Sequence, residues 1–135
     1  MTNTVQIGAI GAQADIVLIS IRGFMDTVAA YHLQERVNAL IEEGKFKYII
    51  NLVELEHVSS AGIGVFSDMA IRLPKYHGKL IFTNVPEQVW HLFKITRLAE
   101  IFPIRESVQA AVDELESAEE HISGTAPDVS TTPGA

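Results

Sequence analysis

The sequence contains no cysteine, which excludes disulfide bonds, thiolate metal sites and cysteine nucleophiles. It also lacks, near its N-terminus, the basic stretch and the long apolar run that mark a secretory signal. The longest apolar runs, such as residues 16–19, have the length of a strand and are too short to span a bilayer. We therefore expect a cytoplasmic protein that does not bind membranes.

Basic residues are scarce, and they are missing from the last part of the chain. The sequence has 10 Lys and Arg against 17 Asp and Glu, a net charge of −7. Every Lys and Arg lies at or before Arg105, and only acidic charges follow it. A nucleic-acid-binding protein needs a basic face. The charge pattern therefore excludes DNA and RNA as expected partners.

The pattern of apolar residues predicts alternating strands and helices within 135 residues. Strands are predicted at residues 4–10, 16–21, 48–53 and 79–83, with a short edge strand at 101–104. Helices are predicted at about 27–43, 59–73, after Pro86 and after Ser107. The turn at residues 11–15 predicts an antiparallel hairpin, and the later strand–helix–strand units predict parallel pairing. The fold class is therefore α/β, a mixed and mostly parallel sheet of four to five strands that opens with an antiparallel hairpin, with about four helices packed against it.

Composition changes near the end of the chain. After Ser117 the residues are mostly small and polar, with Pro and Gly and few apolar side chains. Such a segment cannot bury enough apolar area to fold. We therefore expect one domain over residues 1–116 and a disordered acidic tail over residues 117–135.

The stretch with the strongest functional signal is residues 57–66, His-Val-Ser-Ser-Ala-Gly-Ile-Gly-Val-Phe. The apolar strand that precedes it is predicted to end in a short loop at residues 54–57. Ser59 and Ser60 then fall where the next helix should begin. A hydroxyl at that position can cap the helix, or it can carry a phosphate that the helix N-terminus accommodates. The turn at residues 23–26 is expected to come alongside, because function in parallel sheets lies outside the carboxyl ends of the strands.

Other readings of this stretch are weaker. Gly62 and Gly64 form a Gly-x-Gly pair, but Ser67 occupies the third glycine position of a dinucleotide-binding fingerprint. His57 lies near two serines, yet no Gly-x-Ser-x-Gly elbow accompanies it. The other histidines lack metal-ligand spacing. We therefore expect no catalytic residue, no metal site and no cofactor, and hence no enzymatic activity.

The sequence resembles the STAS-domain family, specifically the bacterial anti-sigma factor antagonists. The resemblance is carried by Gly-Phe-Met-Asp at residues 23–26, by Asn51-Leu52 and by Ser-Ser-Ala-Gly-Ile-Gly at residues 59–64. Gly-Lys-Leu at 78–80, Asn84 and residues 92–98 match the second half of the family pattern. The resemblance extends over about residues 5–116 and does not include the tail.

The resemblance implies a binding module in a partner-switching pathway. In this family the domain binds an anti-sigma factor that is also a serine kinase, and this frees a sigma factor. The kinase phosphorylates the serine that follows the motif's Asp and so breaks the complex, and a serine phosphatase restores it. On this chain the phosphoacceptor is Ser60. The implied partner-binding residues are Asp26, His57, Ser59, Ser60, Ala61, Gly62, Ile63 and Gly64.

The chain departs from the family pattern beside the phosphoacceptor. Ser59 stands where the motif has Asp, and Ala61 stands where it has Ser or Thr. This departure leaves Ser59 as a second candidate for phosphorylation. It also leaves open an alternative function, a STAS scaffold or small-ligand-sensing module that is not phosphorylated.

Overall fold

The structure, a computed structural model, describes the backbone of residues 4–124 and the side chains of residues 4–117. The strands are β1 (Val5–Ile10), β2 (Ile16–Met25), β3 (Lys47–Val58), β4 (Lys79–Thr83) and β5 (Ile104–Arg105). The α-helices are α1 (Thr27–Glu42), α2 (Ser60–Arg72), α3 (Glu87–Ile95) and α4 (Val108–Gly124). Short 3₁₀ helices cover Leu73–Tyr76 and Leu98–Glu100.

The five strands form one sheet in the order β1-β2-β3-β4-β5. β1 is antiparallel to β2, and every other neighbouring pair is parallel. Each parallel strand therefore ends at the same edge of the sheet, where the chain enters α1, α2 and α3. The predicted fold class is confirmed, including the opening hairpin and the helices packed against the sheet.

The main hydrophobic core lies between the sheet and helices α1, α2 and α3. Apolar residues at helical spacing explain the inward face of α1, where Ala30, Leu33, Val37 and Ile41 are buried as predicted. An aromatic cluster fills the centre of this core. Its members are Phe66, Phe82, Phe93 and Phe102, and the rings of Phe82 and Phe102 stack at a centroid distance of 4.7 Å.

Helix α4 packs on the opposite face of the sheet. Ala111 and Leu115 contact Ile16, Ile49 and Ile81, which lie in β2, β3 and β4. Ile16 is the first residue of β2 and Ile49 lies near the start of β3. α4 therefore covers the part of this face near the beginnings of the strands and not the part near their carboxyl ends.

β2 and β3 are longer than the sequence predicted, and the difference lies at the candidate site. Residues 54–57, predicted as a loop, belong to β3, and Gly23–Met25, predicted as a turn, belong to β2. Two register shifts interrupt their pairing. Leu52 and Leu55 are both buried while Val53 and Glu54 between them are exposed, which a regular strand does not allow. The bulge breaks the alternation of period two on which the prediction relied.

Other predicted boundaries differ less. β4 covers residues 79–83 as predicted, and α2 gives way to a 3₁₀ helix at Leu73, directly before Pro74. The edge strand is only Ile104–Arg105, because Phe102 turns into the aromatic core. The backbone of helix α4 continues past residue 116 to Gly124, and the division between domain and tail at residue 116 stays a prediction. The remainder of the predicted tail, 125–135, lies outside the described residues.

One buried polar group gives a test of the core. The side chain of Tyr48 on β3 is 0% exposed, and its hydroxyl has no hydrogen-bond partner among the described residues. Burial raises the pKa of Tyr48 from 10.0 to about 12. Because the folded pKa exceeds the unfolded one, stability is fully present below the unfolded pKa and is lost as pH rises through the folded pKa.

We expect Tyr48→Phe to raise the free energy of unfolding near neutral pH by about 1 kcal/mol, since it removes an unsatisfied buried hydroxyl. It should also reduce the loss of stability between the unfolded pKa of 10.0 and the folded value of about 12. Urea unfolding of both proteins at neutral and alkaline pH measures this. Parallel pH profiles for the two proteins would contradict the prediction.

Candidate functional site

The ends of β2 and β3 place the starts of two helices side by side. Met25 and Val58 are the last paired residues of these strands. The backbone N–H of Ser59 donates to the carbonyl of Met25 at 2.9 Å. Asp26 and Ser59 directly follow these paired residues. The first turns of α1 and α2 therefore begin next to each other at the carboxyl edge of the sheet.

Asp26 and Ser59 are the N-caps of α1 and α2. The Asp26 Oδ1 atom accepts a hydrogen bond from the Ala29 N–H at 2.9 Å. The Ser59 Oγ atom accepts one from the Gly62 N–H at 3.1 Å. Both side chains satisfy a backbone donor that a helix start would otherwise leave without a partner. The Ser59 hydroxyl therefore has a structural task.

Ser60 is in a different position. It is the first residue of α2, its side chain is exposed, and its hydroxyl makes no hydrogen bond to any other described residue. The neighbouring N–H groups and the helix dipole favour negative charge at this position. Of the two adjacent serines, Ser60 thus presents an accessible hydroxyl, and Ser59 is half-buried and committed to capping.

The two glycines of the motif also divide into two roles. A Cβ atom at Gly62 would lie 2.6 Å from Cγ2 of Val58 and 3.1 Å from Sδ of Met25, so only glycine fits without a shift. A Cβ atom at Gly64 would meet nothing within 4 Å. Gly62 is required for packing, whereas Gly64 leaves the surface of α2 flat one turn after Ser60.

The remaining predicted site residues differ in how exposed their side chains are. Asp26 and His57 are exposed, while Ala61 and Ile63 are half-buried and pack against the main core. His57 lies on β3 opposite Phe24, and their rings meet edge to face with a centroid distance of 6.0 Å. The exposed part of the predicted set is therefore Asp26, His57, Ser60 and Gly64.

Some exposed apolar side chains near the site were missed in the sequence analysis. The sequence predicts a turn at Phe24, whereas the structure has Phe24 on β2, and its exposure follows from this longer strand. Val28 and Tyr31 are also exposed. Both fall outside the inward positions of α1, so their off-face spacing was the signal that could have found them.

Two asparagines, Asn51 and Asn84, form hydrogen bonds at the turn between β4 and α3. The Asn84 side-chain amide donates to Oδ1 of Asn51 at 2.9 Å, and the same oxygen accepts from the N–H of Val53 at 3.3 Å. Asn84 has a positive φ of 54°, in the left-handed region that asparagine tolerates. The pair joins the end of the β3–β4 ladder to the turn that leads into α3.

Among residues 4–117, whose side chains are described, no group of three or more His, Asp or Glu side chains is arranged to hold a metal ion. Within the described backbone, residues 4–124, no helix combines the length and the apolar character needed to cross a membrane.

The sheet order, the antiparallel first strand and the two adjacent helix starts define the class of protein. A family model described as STAS domain matches residues 9–111, which is more than half of the chain. The chain therefore belongs to the STAS-domain family.

Two bacterial proteins are similar in sequence to this chain. The anti-sigma-B factor antagonist of Bacillus subtilis (strain 168) is 31% identical over 94 residues, which is 70% of this chain and 85% of that protein. The anti-sigma-B factor antagonist of Staphylococcus epidermidis is 24% identical over 95 residues, 70% of this chain and 88% of that protein. The predicted resemblance to bacterial anti-sigma factor antagonists is thus confirmed.

A solved structure has the same fold. The anti-sigma factor antagonist SpoIIAA in its unphosphorylated form gives a TM-score of 0.66 at 18% identity, over 90% of this chain and 99% of that chain. At this identity the likeness establishes the fold.

The two serines make separate predictions for stability. We expect Ser59→Ala to lower the free energy of unfolding by about 1 kcal/mol, since the Gly62 N–H loses its acceptor. Ser60→Ala should change it by less than about 0.5 kcal/mol, because an exposed uncommitted side chain is removed. Chemical denaturation of both variants measures the difference. Equal losses of unfolding free energy in the two variants would contradict the assignment of Ser59 as the residue that caps α2.

The two glycines form a second matched pair. We expect Gly64→Ala to stabilise the protein by about 0.5–1 kcal/mol, because alanine is favoured over glycine in an exposed helix. Gly62→Ala should destabilise it by about 1–3 kcal/mol, because its Cβ displaces Val58 or Met25. Thermal unfolding compares the two variants. The prediction fails if both change stability in the same direction.

Proposed function

We propose that this protein is an anti-sigma factor antagonist that binds an anti-sigma factor with serine-kinase activity and is switched off by phosphorylation of Ser60. A serine phosphatase acting on the phosphorylated form returns it to the binding state. The chain itself performs no catalysis in this scheme. When the anti-sigma factor binds this protein, the sigma factor is free. When phosphorylation releases this protein, the anti-sigma factor can bind the sigma factor again.

One observation carries the choice of Ser60. Its side chain is exposed at the first position of α2, and its hydroxyl makes no hydrogen bond within the described residues. A kinase needs an accessible hydroxyl that can be moved into its active site without unfolding the substrate. The Ser59 hydroxyl fails that requirement, because its use would release the Gly62 N–H from its acceptor.

The proposed switch relies on a phosphate that the domain tolerates and its partner does not. Phosphorylation adds about −1.5 to −2 charges. The N-terminus of α2 favours that charge within the domain. Gly64 leaves the same face of α2 flat, so a partner can approach its backbone closely. A phosphate one turn away would stand in that space and would have to lose its water.

The substitution of Ser59 for the motif's Asp is compatible with this scheme. Serine and aspartate are both favoured N-caps, and Ser59 makes the cap hydrogen bond with Gly62. The substitution therefore keeps the helix start in place and removes one negative charge beside the phosphoacceptor. It alters the local field in which Ser60 would be phosphorylated and leaves its position unchanged.

The relatives support the proposal as well. Two of the proteins similar in sequence carry the name anti-sigma-B factor antagonist. The Bacillus cell fate determinant SpoIIAA has been solved in the phosphorylated form, with a TM-score of 0.68 and 20% identity to this chain, over 82% of this chain and 98% of that chain. The same fold thus accommodates phosphorylation in that protein.

We expect Ser60→Asp to remain folded and to bind the anti-sigma factor at least about tenfold more weakly than the unmodified protein. Ser60→Ala should remain folded, bind as tightly as the unmodified protein and accept no phosphate from the kinase. Calorimetric titration, together with mass spectrometry of the protein after incubation with kinase and ATP, measures both. Ser59→Ala is the matched control, and it should still be phosphorylated.

Equal affinities of the Ser60→Asp and Ser60→Ala variants for the anti-sigma factor would contradict the proposed phosphorylation switch. Phosphate on Ser59 instead of Ser60 would move the phosphoacceptor by one residue. No phosphate at either serine would favour the alternative, a STAS scaffold or small-ligand-sensing module without this regulation.

A further inference from the structure

The last parts of β2 and β3 extend beyond their neighbours as a two-stranded ribbon, residues 22–25 and 54–58. The ladder of β1 and β2 ends at Ile21, with one further hydrogen bond from the Arg22 N–H to the Thr4 carbonyl at 2.9 Å, and β4 pairs with β3 only as far as Asn51. The ribbon ends at the N-caps Asp26 and Ser59. It is therefore continuous with the surface on which Ser60 lies.

The two faces of the ribbon differ. Met25 and Leu55 point into the main core, so by the alternation of strand residues Arg22 and Phe24 lie on the outer face. Their paired neighbours across the ribbon are Glu54 and His57. This outer face is on the side of the sheet occupied by α4, but α4 packs near the beginnings of the strands.

The outer face carries exposed apolar side chains. Phe24 is 57% exposed and Val53, directly before the ribbon, is 58% exposed. They line a concave region of about 880 Å³, which Pro86 and Gln88 at the start of α3 also border. A partly exposed aromatic ring beside a concave surface is typical of an interface anchor.

The charges around this region are mainly acidic. Glu54, Glu56 and Asp26 are exposed along the ribbon and at its tip. Arg22 is the one basic residue of the ribbon strands, and its guanidinium lies 3.9 Å from the Glu54 carboxylate. The complementary surface is therefore apolar at its centre and basic at its rim.

We propose that the outer face of the ribbon is a second docking surface for the same anti-sigma factor kinase, with Phe24 as its anchor. The occupant is an apolar segment of the kinase flanked by Lys or Arg. This inference rests on the proposed function and assigns part of the kinase's affinity to residues that phosphorylation does not touch. Ser60 then decides whether the complex persists, while Phe24 contributes to how well the kinase recognises this chain.

The test uses the full-length protein and the purified anti-sigma factor kinase from the same organism. We expect Phe24→Ala to weaken binding by about tenfold or more, because a central aromatic anchor is lost. In steady-state phosphorylation of Ser60 it should raise KM by a similar factor and leave kcat unchanged. Thermal unfolding should be unaffected, since the ring is mostly in solvent. Ile95→Ala is the matched control, because Ile95 is 66% exposed at the far end of α3.

A second pair of variants tests the charges. Glu54→Gln with Glu56→Gln should weaken binding and reduce its dependence on salt, because rim charges act through screened attraction. Phe24→Ala combined with Ser60→Asp should give an effect equal to the product of the two single fold-changes if the two surfaces act independently.

The outcomes separate this inference from the proposed function. If Phe24→Ala binds and is phosphorylated like the unmodified protein while Ser60→Asp still loses the kinase, the docking surface is wrong and the switch stands. An equal loss for Ile95→Ala would also overturn the docking surface, since the effect would not be local. If the unmodified protein neither binds the kinase nor is phosphorylated, the proposed function fails, and this inference fails with it.

Discussion

The pairing of β2 with β3 up to Met25 and Val58 is the constraint on which the rest of the site depends. It brings two strand-to-helix junctions into contact and lets the Ser59 N–H reach the Met25 carbonyl. The same two strand ends form the wall against which Gly62 packs. Further along, polar contacts continue the alignment of the helices, such as the 2.6 Å hydrogen bond from Arg72 of α2 to Asn38 of α1.

Adjacent serines at one helix start have separate physical tasks. The N-cap must turn its hydroxyl toward the backbone, so Ser59 is held in place by the helix it caps. Ser60, the next residue, has helical dihedral angles and points its side chain outward. Its hydroxyl therefore does not cap the helix. A phosphorylation site at the first helical position therefore costs the domain little stability. This separation is what the proposed regulation of Ser60 requires, because the helix cap stays intact when Ser60 is modified.

The sequence predicted the order of elements and the approximate starts of the helices, because both depend on local signals, but it left open which of Ser59 and Ser60 caps α2. Asp26, Ser59 and Ser107 precede apolar residues at helical spacing, and each accepts a hydrogen bond from the backbone of its helix. The ribbon could not be predicted in the same way. A bulge at Val53-Glu54 hides the strand period, and its register depends on the partner strand. The exposure of Gly64 and the crowding at Gly62 depend on tertiary contacts that no local pattern reports.

The placement of the helices separates the exposed candidate site from the core that stabilises the fold. Three helices cover one face of the sheet and enclose the large core, so the side chains that hold the fold together lie under α1, α2 and α3. α4 covers only the beginning of the other face, so the outer face of the β2–β3 ribbon stays exposed, while Met25 and Leu55 on its inner face belong to the main core. In the proposed scheme, charge added at Ser60 and contacts made through Phe24 act on exposed positions that lie outside the core. A module built this way can gain or lose a partner while its own folding equilibrium stays nearly constant.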